Sequence, residues 1–147
     1  MPKHSSKPAK KYTRPTKVLL DSSVWVSFIL QDRNFTSALE IIRQLKHYQP
    51  VIILPTLVYA EVMNTLQRLK HPNPLMAKSI ITEGRKVRIS HPDEYFFMNI
   101  LAKYIRHTNI KASDFIIAVQ AIELKVDKFY TLDKDQKAAY YNLKKFQ

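Results

Sequence analysis

The chain has no cysteine and a single glycine, Gly84, among its 147 residues. Without cysteine there is no disulfide, no thiolate zinc site and no cysteine nucleophile, a composition that fits the reducing cytoplasm, the expected location. With one glycine the chain cannot build a P-loop or a dinucleotide fingerprint. Both need several glycines so that the backbone can approach phosphate closely. Any phosphate chemistry therefore falls to metal ions, Lys and Arg. No apolar run nears the roughly 20 residues that cross a bilayer. The charged N-terminus is followed by no apolar stretch, which is not the pattern of a secretory signal, so no membrane association is expected. Acids are also scarce: 12 against 24 Lys and Arg, a net charge of +12. Six of the basic residues (Lys3, Lys7, Lys10, Lys11, Arg14 and Lys17) fall in residues 1–17, where no acid stands. Such an excess points to a polyanionic partner, most simply nucleic acid.

What is present is one domain's worth of alternating elements. Residues 1–16, with Pro2, Pro8 and Pro15 among Lys and Ser, are expected to form a disordered basic arm, and residues 17–147 the folded domain. Val18–Leu20 is an apolar run too short for a helix, hence a strand. A helix is expected through Trp25, Phe28, Ile29 and Leu30 with Ser22 or Ser23 as its cap. A second, over 36–47, carries Ala38, Leu39, Ile41, Ile42 and Leu45 at helical spacing, with Thr36 or Ser37 as cap. Val51–Leu54 is β-branched and bounded by prolines, a buried strand. A third helix runs from Thr56 to about Leu69, and a fourth over about 75–84 ends near Gly84. Val87–Ser90 is a third strand. From Pro92 an apolar stripe of Phe96, Phe97, Ile100, Leu101, Tyr104 and Ile105 predicts a helix. Residues 114–125, capped by Ser113, are apolar nearly all round and predict a buried helix. Lys128–Leu132 is a fourth strand, followed by a short helix from about 134 and a possible last strand near 143–146. Strands alternating with helices predict an α/β fold: a parallel sheet of four to five strands sandwiched between helices.

Four acids sit at the junctions that such a fold turns toward one crevice. Asp21 ends the first strand. Glu61 lies in the otherwise apolar stretch Val58–Met63. Asp114 opens the most apolar helix, and Asp133 follows the fourth strand, with Asp135 two residues on as an alternative. Singly, each has an ordinary explanation: an exposed helical face for Glu61, a helix-dipole partner for Asp114, a turn for Asp133 or Asp135. Together, four carboxylates in one pocket repel unless a cation stands among them, most simply a divalent metal on hard oxygen ligands. Thr131 and Ser22 offer hydroxyls to orient a carboxylate or a metal-bound water. Asp93, after Pro92, is an outside candidate. Asp32, Glu40, Glu83, Glu94, Glu123 and Asp127 read as caps, exposed faces or helix ends. The histidines at 4, 47, 71, 91 and 107 show no metal-ligand spacing.

Four segments in order carry a resemblance: Val18-Leu19-Leu20-Asp21-Ser22-Ser23-Val24, Pro55–Val62, Ala112–Ala118 and Tyr130–Asp135. The chain resembles the PIN domain family of small metal-dependent ribonucleases, in particular the VapC-type toxins of bacterial toxin–antitoxin pairs, over about residues 17–147. The resemblance implies a PIN-like three-layer sandwich and a catalytic, metal-binding quartet of Asp21, Glu61, Asp114 and Asp133. It further implies a homodimer and an antitoxin partner that inserts into the active-site groove. Two positions depart from the family pattern: Ser23 stands where Asn is frequent, and Gln136 where an aromatic is usual.

The reading is hydrolysis of RNA phosphodiester bonds, with one or two Mg²⁺ or Mn²⁺ ions activating water and neutralising charge on the phosphate. Asp21 and Asp114 are the expected direct ligands, with Glu61 and Asp133 acting partly through waters. Lys111, Lys134, Arg33 and the arm are candidates for holding the RNA backbone. Two alternatives stand beside it. One is a non-catalytic RNA-binding protein on a degenerate PIN scaffold, which the intact quartet argues against. The other is a phosphoacceptor domain, which needs paired acids after its first strand where this chain has Ser22-Ser23.

Overall fold

The structure is a computed structural model and describes residues 13–147; residues 1–12 of the expected arm lie outside the described residues. Val18, Leu19 and Leu20 are completely buried, as a strand covered on both faces requires. They belong to β1 (Lys17–Leu20), which pairs in parallel with β2 (Val51–Pro55) and with β4 (Lys128–Tyr130); β2 pairs in parallel with β3 (Lys86–Ser90). The sheet order is β3-β2-β1-β4. The chain winds outward from β1 to β3, then returns to add β4 on β1's other side. That reversal puts the topological switch point between β1 and β4, where an open parallel sheet leaves a crevice beyond its strand C-termini.

Seven α-helices complete the described residues: α1 (Ser22–Leu30), α2 (Phe35–Tyr48), α3 (Thr56–Arg68), α4 (Ala77–Thr82), α5 (Leu101–Tyr104), α6 (Ala112–Glu123) and α7 (Lys134–Lys144). Trp25, Val58, Val62, Leu66, Ile117, Val119 and Leu143 are sealed from solvent on or near 0% exposure. Burying one such side chain contributes about 1.5–3 kcal/mol. Gly84, just past α4, sits at φ 66°, the left-handed conformation that ends a helix at least cost with glycine.

Several boundaries differ from expectation for physical reasons. The α1 cap is Asp21, whose Oδ2 accepts from the Ser23 amide at 3.2 Å, because both serine hydroxyls are engaged elsewhere. No strand forms at 143–146. Tyr140 and Leu143 bury the same side of an α7 that runs to Lys144, and the Tyr140 ring packs on Phe129 of β4. The helix after Pro92 is interrupted by a π turn, Phe96–Ile100, ahead of α5. A π turn takes up an extra residue, so Phe96 and Tyr104 share the buried side while Phe97 and Ile105, from the same expected stripe, are exposed. Within the segment expected to be part of the arm, Arg14 donates to the Tyr48 carbonyl, and Thr16 donates to Asp127 through both its amide and its hydroxyl, each at 2.8 Å.

Candidate active site

Asp21 emerges from β1 and is almost fully buried, 3% exposed. Its amide extends the β1–β4 ladder by donating to the Tyr130 carbonyl at 2.8 Å. An ionised carboxylate survives such burial only with donors around it; two amides supply them, and a hydroxyl lies close by. The Ser23 amide and the Thr131 hydroxyl approach Oδ2, at 3.2 and 3.3 Å; the Gln136 amide Nε2 approaches Oδ1 at 3.3 Å.

Glu61 projects from α3, half-buried, and accepts from the Ser22 hydroxyl at 2.9 Å. The hydroxyl of the first helical residue of α1 is thus spent on orienting this second acid. Ser23 is spent on β4's exit: its Oγ accepts from the Leu132 amide at 3.0 Å and lies 3.4 Å from the Thr131 hydroxyl. Asp133 caps α7, with Oδ1 accepting from the Asp135 and Gln136 amides at 2.8 and 3.0 Å. Asp135 is exposed in the first turn of that helix.

Asp114 lies in the first turn of α6, half-buried, with Lys111 Nζ 3.8 Å from its Oδ2. Its carboxyl is held above the usual carboxylate range. Burial is the main cause, opposed by Lys111 and reinforced by the negative charges of Asp21, Asp133 and Glu61. Four acids from four separate segments therefore share one electrostatic field.

Asp114, Asp133 and Asp135 line a cleft of about 590 Å³, together with Lys111, Asn109 and His107. A larger crevice of about 880 Å³ lies where β2 and β3 begin, around Gln49, Pro50 and Lys86, with Glu83 its one acid. That crevice gathers no group of acids, whereas the smaller cleft gathers three, although Asp21 and Glu61 are not among the residues that line it. Arg33 follows α1 close to Gln31, which lines that far crevice, so it stands away from the quartet. Lys111 and Lys134 flank the acids. Asp93 is a helix cap, its Oδ1 accepting from the Phe96 amide at 2.9 Å. His107, one of the histidines without metal-ligand spacing, lines the cleft, and Gln136, read only as a departure from pattern, touches Asp21.

The donor set suits a divalent metal in kind: all oxygen, hard and anionic. Among the described residues, no three His, Asp or Glu side chains lie close enough together to hold a metal ion between them. Any ion here would be held partly through waters, as Mg²⁺ habitually is.

The family model of the PIN domain matches residues 18–141. No curated protein matches the chain. Among solved structures, the chain is similar to VapC20 of Mycobacterium tuberculosis, described as a sarcin–ricin loop cleaving toxin. That match has a TM-score of 0.66 and 20% identity, over 83% of this chain and 94% of that one. It is also similar to VapBC2 from Rickettsia felis, solved bound to a DNA fragment from its promoter, with a TM-score of 0.61 and 16% identity over 84% and 92% of the two chains. At these identities the likenesses establish the fold.

Proposed function

Because the chain belongs to the PIN domain family, we propose that it is a divalent-metal-dependent endoribonuclease, the VapC-type toxin of a toxin–antitoxin pair acting in the cytoplasm. The observation that best supports the reading is the gathering of acids around Asp114: burial chiefly raises its carboxyl, Lys111 opposes, Asp21, Asp133 and Glu61 add to the rise, and Asp133 lines the same cleft. That space opens at the switch point of a parallel sheet, the usual ligand crevice of the architecture.

In this reading Asp21 and Asp114 would hold the metal directly, with Glu61 and Asp133 contributing partly directly and partly through waters. Asp133 is preferred over Asp135 as the fourth acid because it is half-buried and hydrogen-bonded to Thr131 and Gln136, the residues beside Asp21, whereas Asp135 is exposed. A bound Mg²⁺ or Mn²⁺ supplies an activated water and neutralises charge on the scissile phosphate. The chain's own groups do the positioning. Ser22 fixes Glu61, and the Ser23 amide fixes Asp21. Lys111, exposed beside Asp114, offers a cation to the RNA backbone on the open side of the cleft, and Lys134 offers another. Such contacts are independent of sequence and weaken with salt. The net charge of +12 suits both an RNA substrate and an acidic segment of an antitoxin. A homodimer belongs to the same proposal.

The test is an RNA cleavage assay in Mg²⁺ or Mn²⁺, comparing the wild type with Asp21→Asn and Asp114→Asn. Loss of cleavage in both folded variants is the expected result. Undiminished cleavage by both would remove the quartet from the chemistry.

A further inference from the structure

We propose that Gln136 is a positioning residue for Asp21, aligning the first acid of the quartet through a relay that starts at Thr131. The proposal rests on the metal-dependent reading above and assigns a role to a side chain that reading does not use.

Gln136 is 1% exposed, and a buried amide costs free energy unless both its ends are bonded. Both are. Its Oε1 accepts from the Thr131 hydroxyl at 2.8 Å, and its Nε2 donates to Asp21 Oδ1 at 3.3 Å. The Thr131 hydroxyl has one proton and two acceptors in reach, Gln136 Oε1 at 2.8 Å and Asp21 Oδ2 at 3.3 Å. The shorter contact takes the proton. That choice fixes the amide with its oxygen toward Thr131 and its nitrogen toward Asp21. The Thr131 oxygen is itself anchored by accepting from the Asp133 amide at 3.1 Å.

The same residue also reaches the fourth acid. The Gln136 backbone amide donates to Asp133 Oδ1 at 3.0 Å. One residue of α7 thereby ties together the acids that follow β1 and β4, on either side of the switch point. Among the described residues, the Gln136 amide is the donor that Asp21 Oδ1 has. Its neutrality matters. A Lys or Arg there would cancel the carboxylate's charge and compete with an incoming cation, whereas an apolar side chain would leave Oδ1 free to swing. A neutral N–H fixes the oxygen and leaves its charge available.

The experiment is calorimetric titration of the full chain with Mn²⁺, alongside melting without metal and RNA cleavage kinetics, for the wild type, Gln136→Met, Thr131→Val and Asp21→Asn. Gln136→Met keeps the volume and removes the donor. Mn²⁺ affinity is expected to fall about tenfold, the usual effect of losing a group that orients a metal ligand. The loss should fall on kcat, with the KM for RNA unchanged. Thr131→Val is expected to weaken Mn²⁺ in the same direction, since it releases the amide, and it serves as the second variant should Gln136→Met not fold. A folded Gln136→Met with Mn²⁺ affinity within about twofold of wild type overturns the positioning role while leaving the quartet standing, provided Asp21→Asn loses Mn²⁺. If Asp21→Asn also binds Mn²⁺ like wild type, the metal reading fails and the positioning role falls with it.

Discussion

Asp127, just before β4, and Asp114, in the cleft with the Asp133 that follows β4, stand toward opposite ends of the strands of one parallel sheet, and their surroundings drive their carboxyl groups in opposite directions. Asp127 sits where β4 begins. Its Oδ2 accepts from the Thr16 amide, the Thr16 hydroxyl and the Lys17 amide, each at 2.8 Å. These bonds, led by the Thr16 hydroxyl, hold its carboxyl below the usual range. Asp114, at the other end, is pushed up by burial and by three neighbouring acids. One acid is arranged so that its charge stabilises the fold; the other is kept where its charge is costly. In the metal-dependent reading proposed above, the second arrangement is what the site requires before the cation arrives, and stability is commonly given up at such sites.

The largest effect that could break this contrast is on cleavage. Asp114→Asn should lower kcat/KM for RNA by at least about 100-fold, since a metal clamp supplies several kcal/mol of charge stabilisation. Asp127→Asn should leave it within about twofold. Equal losses from both would mean that Asp114 acts through the fold alone. Stability should order the two variants the other way. Asp127→Asn gives up hydrogen bonds to an ionised group, worth about 1 kcal/mol once its exposure is allowed for. A drop of about 2–4 °C in melting temperature checks this. Saturating Mn²⁺ should then raise the melting temperature of wild type and Asp127→Asn alike, and that of Asp114→Asn or Asp21→Asn much less. Chelation with EDTA should erase the difference.

How much of this was legible in the sequence depended on how local each interaction is. The apolar run Val18–Leu20 ending in Asp21 was enough to place β1 and its terminal acid, because burial and chain direction alone decide both. The alternation of strands and helices gave the parallel sheet for the same reason. The α1 cap was not legible. Ser22 and Ser23 are good caps by type, but their hydroxyls go to Glu61 and to Leu132, 39 and 109 positions away, and only the folded chain brings those groups near. Gln136 was hidden likewise: its contact with Asp21 spans 115 positions. The apolar stripe after Pro92 misled through geometry, since a π turn shifts which residues face inward. Arg33 was placed near the site by its charge, whereas the direction of α1 carries it toward the far crevice.

The smallest expected effect is the sharpest, because it concerns the sign of a pH dependence. Asp127 has a lowered carboxyl in the folded state. Its stabilisation is therefore full above the unfolded value of about 3.9 and is lost as pH falls through the folded one. Asp114 has a raised carboxyl. It binds its proton more tightly folded than unfolded, so its contribution is intact below about 3.9 and is lost as pH rises through the folded value. Without metal, Asp114→Asn should thus be slightly more stable than wild type at pH 7, and the gap should close as pH approaches 4. Asp127→Asn should be less stable at pH 7, and that deficit should persist at pH 4 and vanish only below it. Chemical denaturation of the metal-free proteins at several pH values between 3 and 7 measures both gaps. Two gaps that moved together would mean that the acids at the two ends of the strands are held in the same way.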